Sequence, residues 1–353
     1  MSGHITVGVV ANPASGRDIR RLVAGASVFG NADKAGMVFR LMAGLGAAGV
    51  TRVLMLPAPD GLSTTLHRHL HGRRTAPGFD GAAPFPELEE LPLVLDGTAR
   101  DSLVAVERMR EAGVAAIAVL GGDGTHRVVA KACGDIPICA LSTGTNNAFP
   151  EMREATVAGL ATGLVATGVA GARAVRRVAA LEVQEAGGSA ADAGPPDLAL
   201  VDVAVTRQRF IGARALWRPE GVTELFVTFA SPSAVGLSAV AGALHPLERG
   251  GGRGLYVRLA ADGRDAERTV QVALAPGLVV DVGVAEHRVL EAGEAVEIAP
   301  GPGTVALDGE REIERRHREP VTVRLVPGPL TIDVDAVMRT AAGDATPTQP
   351  ARE

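Results

Sequence analysis

The sequence is poor in the residues that define several protein classes. Of its 353 residues only two are cysteines, Cys133 and Cys139. Two thiols cannot form a disulfide framework, and no clustered histidines complete a zinc set, so we expect a reducing cytoplasm. Trp217 and Tyr256 are the only residues of their types, which argues against a stacking platform for bases.

Positive charge is not in excess either. The chain has 35 Lys and Arg against 40 Asp and Glu, which gives a net charge of −5. A protein that holds nucleic acid needs a basic surface to neutralise the phosphates. We therefore expect no nucleic-acid partner for this chain.

Long hydrophobic runs are missing as well. The first residues, MSGHITVGVV, lack the positive segment and long apolar core of a signal peptide. Residues 156–172 and 228–247 carry no Asp, Glu, Lys or Arg, but the first run is rich in Ala and Gly and the second contains two prolines. A spanning helix needs about 20 strongly apolar residues. Both runs are therefore predicted to be buried segments, and no membrane association is expected.

What the chain does contain is an alternation of short strand-like and longer helix-like segments over residues 1–150. Strands are predicted at 5–11, 52–56, 92–95, 115–120 and 137–141, with helices such as 34–45 and 99–112 between them. This order is typical of a mostly parallel, Rossmann-like sheet covered on both faces, and such sheets bind ligands at the carboxyl ends of their strands. Residues 1–150 are therefore predicted to form an α/β nucleotide-binding domain.

From about residue 173 the pattern changes to short β-rich runs separated by Gly, Pro or Asp. These runs lie at 198–205, 225–229, 256–259, 270–274, 279–284 and 321–326. They predict a C-terminal antiparallel β domain for the substrate, residues 151–331, which begins with a linking helix at 156–168. Residues 341–353 are rich in Ala, Pro and Thr and are predicted to be a disordered tail.

Three polar loops each follow a strand of the first domain. They are Asn12-Pro13-Ala14-Ser15-Gly16-Arg17-Asp18, Gly121-Gly122-Asp123-Gly124-Thr125 and Ser142-Thr143-Gly144-Thr145-Asn146-Asn147. Because the carboxyl ends of parallel strands meet at one edge of a sheet, we expect the three loops to lie together. A single Gly-rich loop after a strand is more often only a tight turn. Three of them at successive strand ends indicate a shared phosphate site.

The central loop has the composition that phosphate chemistry needs. Its glycines let the backbone approach a phosphate, and the N–H groups of a following helix, predicted to begin at Thr125, attract anions. Asp123 is the lone carboxylate among them, and it could take a proton from an attacking hydroxyl or organise Mg²⁺ bound to phosphates. Arg17 could neutralise the charge that develops on a transferred phosphoryl group.

Three other patterns are rejected as sites. Residues 44–49, Gly-Leu-Gly-Ala-Ala-Gly, have a dinucleotide-binding spacing but lie between a helix and a following strand, the reverse of the required order. His67, His69 and His71 are interpreted as a solvated helix face and not as a metal site. The run RGGGRG at 249–254 is predicted to be a flexible hairpin, and no Walker-type phosphate loop occurs.

The motifs GGDGT at 121–125, NPASG at 12–16 and GTNN at 144–147 resemble those of the NAD kinase/diacylglycerol kinase superfamily. Within it the chain is most similar to the ATP-NAD kinase-like branch, also called AcoX after its association with acetoin catabolism. The resemblance extends to about residue 338. It implies an active site in a cleft between the two domains, and a last segment, residues 332–340, that completes the first domain.

The resemblance also implies roles for individual residues. Asp123 would be the catalytic carboxylate, and Glu310, in an LDGE turn similar to that of lipid kinases, would be a candidate base, although a plain hairpin turn with an exposed Glu is the simpler interpretation. The nucleotide would be bound by Asn12, Ser15, Gly16, Arg17, Gly121, Gly122, Gly124, Thr125, Thr145, Asn146 and Asn147. The acceptor would face Asp202, Ser231 and Ser233.

Two departures separate the chain from NAD kinases. Val201 and Asp202 stand where those enzymes carry an Asn-Glu pair that binds adenosine, and Val235 stands where they usually carry a Tyr. Loss of one polar partner weakens such a site by about 1–3 kcal/mol. The run LSA at 237–239 followed by HP at 245–246 is nevertheless similar to the NAD kinase sequence on the dinucleotide side.

The expected function is an ATP-dependent kinase that transfers a phosphoryl group to a hydroxyl of a small soluble acceptor. NAD is the leading candidate, which would make the product NADP. Mg²⁺ would be held mainly by the phosphates, without a dedicated metal site on the protein. The alternatives are a lipid kinase of the diacylglycerol type and a non-catalytic nucleotide-sensing protein. Polyphosphate as the donor stays open, and the resemblance implies a homo-oligomer.

Overall fold

The chain folds into two β-sheets with helices packed on the first. The computed structural model describes residues 4–12, 29–59, 61–75, 84–144, 147–171, 174–185, 196–207, 221–260, 265–275, 277–299, 301–309, 311–315 and 320–343. The strands are β1 (Thr6–Ala11), β2 (Arg52–Met55), β3 (Glu87–Glu90), β4 (Ala116–Gly121), β5 (Ile138–Ser142), β6 (Val175–Glu185), β7 (Asp197–Ala199), β8 (Asp202–Thr206), β9 (Val222–Val227), β10 (Gly254–Leu259), β11 (Arg268–Ala275), β12 (Leu278–Leu290), β13 (Ala295–Glu297), β14 (Gly303–Leu307), β15 (Arg311–Arg315) and β16 (Val321–Ile332). The helices are α1 (Asn31–Ala47), α2 (Leu62–Thr75), α3 (Ala99–Glu111), α4 (Asp123–Ala132), α5 (Ala155–Ala166), α6 (Ser238–Leu244) and α7 (Val334–Gly343).

The first sheet is parallel in its N-terminal part and has the order β3-β2-β1-β4-β5-β16-β6-β7, with β13 on β16. Every residue of β1 and β4 is buried, as expected for strands covered on both faces. Alternate residues of β4 enter two cores: Ala118 and Leu120 pack with α1 and α5, and Ile117 and Val119 pack with α3 and α4. The α/β class predicted for this part is confirmed.

One predicted strand is wrong. The segment 92–95 is not a strand, and the edge strand is β3 (Glu87–Glu90), which pairs with β2 in parallel. Its sequence, ELEE, alternates between exposed and half-buried positions because an edge strand of this kind covers only part of one face. Pro92 lacks a ladder N–H, and Val94 is fully exposed. The apolar residues at 92–95 therefore do not indicate a strand.

The second sheet is antiparallel throughout and has the order β11-β12-β10-β9-β8-β14-β15. This confirms the predicted C-terminal antiparallel class. Strands β6 and β16 are hydrogen-bonded into the first sheet, but Leu181 and Leu325 on them pack against Phe226 and Val305 of the second sheet. The two sheets therefore share a core, and the first sheet contains strands from both sides of residue 150.

Helix α5 contains most of the uncharged run 156–168 and packs closely on α1. A Cβ atom added at Gly44 would lie 2.2 Å from the carbonyl oxygen of Thr156, and one added at Gly159 would lie 2.1 Å from that of Leu41. The glycines at these two positions allow the helix backbones to touch. The run 44–49 therefore serves helix packing at the carboxyl end of α1.

The end of the described chain returns to the first domain. Thr331 of β16 pairs in parallel with Ile138 of β5, and α7 then packs on α5. The guanidinium of Arg153 donates two hydrogen bonds of 2.7 Å to the carboxylate of Asp335 on α7. Within the described ranges, no helix has the length and apolar character needed to cross a membrane.

Candidate functional site

The described residues of the three polar loops, Asn12, 121–125, 142–144 and Asn147, lie at one edge of the parallel sheet. Strand β1 runs parallel to β4, and β4 runs parallel to β5, so their carboxyl ends lie side by side. The backbone N–H of Asn12 donates to Leu120 O at 3.3 Å, and that of Thr143 donates to Gly121 O at 3.4 Å. The side chain of Asn12 donates through Nδ2 to Thr125 Oγ1 at 3.1 Å. The first loop is thus joined directly to the central one.

The central loop turns sharply from strand into helix. Gly122 is the extended N-cap residue, and α4 begins at Asp123, two residues earlier than predicted. The backbone N–H groups that follow Gly122 therefore lie in the first turn of a helix, where they carry partial positive charge. A Cβ added at Gly121 would lie 2.6 Å from Thr125 Cβ, so a glycine is needed for Thr125 to pack on the strand end.

Asp123 ties the central loop to the third loop. Its carboxylate accepts hydrogen bonds from the backbone N–H of Ala148, at 3.1 and 3.0 Å to the two oxygens, and from that of Phe149 at 2.7 Å. The residue is only 8% exposed. An ionised carboxylate only accepts hydrogen bonds, so these donors fix its orientation.

The third loop is organised by its own side chains. Ser142 Oγ donates to Gly144 O at 2.6 Å, and Asn147 Nδ2 donates to Ser142 Oγ at 2.7 Å. Asn147, predicted to bind the nucleotide, is therefore held at the sheet edge by a contact within its loop. The N–H groups of Ala148 and Phe149, which follow this loop, donate to Asp123.

Lys34 is a buried cation that the sequence analysis missed. It lies in the first turn of α1, is 1% exposed, and donates from Nζ to Asn12 O at 2.9 Å. The signal was present in the sequence, because Lys34, Val38 and Leu41 share the apolar face of a helix. A lysine on such a face at a helix start is unusual, and here it supports the base of the first loop.

Asp308 is a second missed residue, and its role depends on contacts about a hundred positions away. Its side chain is fully buried and its φ is +50°. The carboxylate accepts from the N–H groups of Leu200 at 3.0 Å and Val201 at 2.8 Å. Burial, followed by the nearby charges of Asp202 and Asp123, raises the pKa of Asp308 to about 8. The LDGE turn therefore places a carboxyl group beside the proposed catalytic Asp123.

Arg127 connects this carboxyl group to the central helix. It lies one turn after Asp123 on α4, and its Nε is 3.8 Å from Asp308 Oδ2. Its NH1 atom is 4.0 Å from Asp197 Oδ1, and Lys131 on the same helix reaches that oxygen at 2.5 Å. Through Arg127 and Lys131 helix α4 thereby contacts β7 and the turn that follows β14.

The predicted acceptor residues lie on the second sheet and its turns. Ser231 is half-buried and Ser233 is exposed, and their Oγ atoms lie 2.8 Å apart. Asp202 begins β8 and is half-buried. Val201 is 3% exposed and packs in the core that contains Phe149, whereas Val235 is 53% exposed.

Several predicted site residues lie outside the described residues. They are Ser15, Gly16, Arg17, Thr145, Asn146 and Glu310. Across the part of the chain that the structure describes, no group of three or more His, Cys, Asp or Glu side chains is arranged to hold a metal ion. In the histidine run, the Nε2 atom of His67 lies 3.7 Å from Oε1 of Glu90.

Comparisons with solved structures give distant likenesses over nearly the whole chain. Yeast NADH kinase complexed with NADH is 12% identical, with a TM-score of 0.47, covering 99% of this chain and 91% of that one. A diacylglycerol kinase from Bacillus anthracis str. Sterne is 13% identical, with a TM-score of 0.43, covering 96% of this chain and 100% of that one.

Sequence comparisons are much closer. The model of the ATP-NAD kinase N-terminal domain matches residues 7–169, and that of the acetoin catabolism protein X C-terminal domain matches residues 179–328. Acetoin catabolism protein X of Cupriavidus necator is 46% identical over 339 residues, covering 95% of this chain and 92% of that protein. The chain therefore belongs to the acetoin catabolism protein X family, whose N-terminal domain here is of the ATP-NAD kinase type.

Proposed function

We propose that the protein is an ATP-dependent kinase that transfers a phosphoryl group to a hydroxyl of a small acceptor. The observation that carries the proposal is the position of Asp123. It is a nearly buried carboxylate at the first turn of α4, where Asn12 donates to Thr125 and the N–H of Ala148 donates to Asp123. The match of residues 7–169 to an ATP-NAD kinase domain supports the same chemistry.

The geometry suits a phosphate on one side and a proton acceptor on the other. The first N–H groups of α4, which follow the N-cap Gly122, would attract phosphate oxygens through hydrogen bonds and the helix dipole. Asp123 would accept the proton of the attacking hydroxyl or orient the Mg²⁺ that arrives with the nucleotide. Asp202, half-buried at the start of β8, would face the magnesium-bound nucleotide together with Asp123.

NAD is the first acceptor to test. The N-terminal domain is of the ATP-NAD kinase type, and Asp202 would face the ribose or the adenine. Phosphorylation of NAD would give NADP and place the protein in NADP biosynthesis.

A small polyol or hydroxyketone is the second candidate, and the burial of Val201 favours it. The Val201 side chain contributes to an apolar core and offers no hydrogen bond. Its backbone N–H is taken by Asp308, and its carbonyl accepts from Thr228 N at 3.0 Å. A dinucleotide would therefore lose a polar partner at this position. The name of the Cupriavidus necator relative associates that protein with acetoin catabolism, so hydroxyketones belong in the acceptor panel.

The test is a phosphotransfer assay with a panel of acceptors. Purified protein is given Mg·ATP or polyphosphate with NAD, acetoin and related hydroxyketones, small polyols or diacylglycerol, and phosphorylated products are identified by mass spectrometry. We expect product with a small soluble acceptor. Product with diacylglycerol alone would favour a lipid kinase, and nucleotide binding without turnover on any acceptor would favour a nucleotide-sensing protein.

The variant Val201→Asn separates the two acceptor candidates. If NAD is the acceptor, the added amide restores a hydrogen bond of about 1 kcal/mol or slightly more and raises NAD phosphorylation by up to ~10-fold. If the acceptor is smaller, the amide is left unpaired in an apolar wall, and activity on the true acceptor falls. Val201→Ala is the control, because it removes packing without adding a polar group. A gain on NAD with Asn but not with Ala identifies the dinucleotide.

A further inference from the structure

The side chain of Arg249, a residue of the second domain, contacts Ala148 and Phe149, whose N–H groups bind the Asp123 carboxylate. It follows α6 in the glycine-rich run predicted to be a flexible hairpin. Its NH1 atom donates to Phe149 O at 2.5 Å, and its NH2 atom donates to Ala148 O. The guanidinium carbon lies 4.2 Å from the ring centroid of Phe229. Arg249 is therefore held by two carbonyls and an aromatic face.

The residues that Arg249 contacts are those that contact Asp123. The N–H groups of Ala148 and Phe149 donate to the Asp123 carboxylate, and the carbonyl oxygens of the same residues accept from Arg249. These backbone groups thus connect a cation of the second domain with a carboxylate of the first. A planar guanidinium can bond both carbonyls while it stacks on Phe229, and a single ammonium group cannot reproduce that arrangement.

We propose that Arg249 is a positioning residue that holds the backbone of Ala148 and Phe149 so that their N–H groups fix the Asp123 carboxylate for phosphoryl transfer. This inference rests on the function proposed above. In this proposal Arg249 acts through the backbone of Ala148 and Phe149, which makes it a positioning residue and not a catalytic one.

The charges around Arg249 agree with this role. Glu151 lies 4.0 Å from its NH1 atom. Burial lowers the pKa of the Arg249 guanidinium from its ordinary value, and Glu151 and Asp123 act in the opposite direction. The Asp123 carboxylate is thus close enough to interact with the cation, which adds a direct electrostatic contribution to the hydrogen-bonded connection.

The Arg249 side chain also contacts a residue close to the turn that was predicted to bind the acceptor. Phe229, whose ring lies on the guanidinium, precedes Ser231 by two residues. The turn that contains Ser231 and Ser233 was predicted to contact the acceptor. An acceptor that orders this turn would therefore steady Phe229, then Arg249, and through it the Asp123 carboxylate. The arrangement couples acceptor binding to the placement of Asp123.

The kinetic test compares Arg249→Ala and Arg249→Lys with Arg253→Ala. Arg253 lies in the same glycine-rich run and is exposed, so it is a matched control. Misplacement of a catalytic group by about 1 Å costs on the order of 10²-fold in rate. We expect Arg249→Ala to lower kcat by about that factor with KM for ATP changed less than ~3-fold, and Arg249→Lys to recover only part of the loss. Wild-type kcat in Arg249→Lys would overturn the proposal.

A second measurement does not depend on activity. Hydrogen–deuterium exchange resolved to single amides reports the N–H groups of Ala148 and Phe149. We expect their exchange in Arg249→Ala and Arg249→Lys to be at least ~10-fold faster than in Arg253→Ala, while the amides of β4 keep their wild-type rates. Unchanged exchange at Ala148 and Phe149 overturns the proposal. If the wild-type protein transfers no phosphate but the Arg249 variants show the faster exchange, the kinase function is refuted and the positioning by Arg249 is supported.

Discussion

The chain contains two glycine-rich runs next to helices of the first domain, and they do different things. The run at 44–49 lies at the carboxyl end of α1, where Gly44 allows the backbone of α5 to approach. The run at 121–124 lies at the amino end of α4, where Gly122 is the N-cap and the first N–H groups of the helix follow it. Glycine spacing alone therefore carries no function. The end of the helix that the glycines flank decides whether an anion can be bound, because only the amino end presents free N–H groups.

The largest effect is expected from Asp123→Asn, in the glycine-rich run at 121–124. The change keeps the shape and one acceptor oxygen but removes the charge that takes a proton or organises the metal-bound phosphates, so phosphoryl transfer should fall by at least ~10²-fold. Steady-state kinetics on every active acceptor measures it. The matched control is Asp135→Asn, at a side chain that is 85% exposed. Turnover near the wild-type rate would refute the role of Asp123.

A substitution at Gly44, in the run at 44–49, should change the stability of the protein and leave its turnover unchanged. In Gly44→Ala the added Cβ lies 2.2 Å from a backbone oxygen, and relief of such overpacking costs about 1–3 kcal/mol of unfolding free energy. Gly36→Ala is the control in the same helix, because its Cβ meets only the flexible end of Arg40 at 3.5 Å; it should stabilise by about 0.5–1 kcal/mol. Urea unfolding measures both variants. Equal stability in the two would contradict the packing role.

Gly121→Ala tests whether a glycine in the run at 121–124 serves nucleotide binding, in contrast to the packing role of Gly44. The added Cβ lies 2.6 Å from Thr125 Cβ and should displace the side chain that accepts from Asn12. We expect about a 10-fold loss of kcat/KM for ATP from the misplaced loop, with a smaller change in unfolding free energy than Gly44→Ala produces. Nucleotide titration and kinetics measure it. A variant that loses stability but keeps wild-type kinetics would make this glycine a packing residue as well.

The last expected effect is the pH dependence of stability that Asp308 contributes. Its pKa is raised from 3.8 to about 8, so the folded protein retains a proton that the unfolded chain releases. The stability contributed by this group is present below the unfolded pKa and is lost as the pH rises toward the folded one. Between about pH 5 and 8 the free energy of unfolding should therefore fall more steeply in wild type than in Asp308→Asn, whose amide tolerates the left-handed backbone. Identical slopes would contradict the raised pKa.

The same comparison explains what could be predicted from sequence. The parallel sheet and its polar loops follow from local signals: buried β-branched strands, glycines, and polar residues at strand ends. Lys34, Asp308 and Arg249 were missed because their roles depend on contacts with residues distant in the chain, and the contacts of Asp308 and Arg249 span about a hundred positions. The strand at 92–95 was wrong because an apolar run was preferred to the charged edge strand β3. Local patterns fix elements and strand-end loops, whereas the connections between domains arise only on folding.

The most direct test of the central claim is to locate the bound nucleotide on the protein in solution. Mg·ATP is titrated into isotope-labelled protein, and the amide resonances are followed by NMR. We expect saturable shifts that are largest at residues 121–125 and 147–149. These shifts should be lost when Gly122, the N-cap of α4, is replaced by a bulky residue. Saturable binding with the largest shifts elsewhere in the chain, and none at the start of α4, would contradict it.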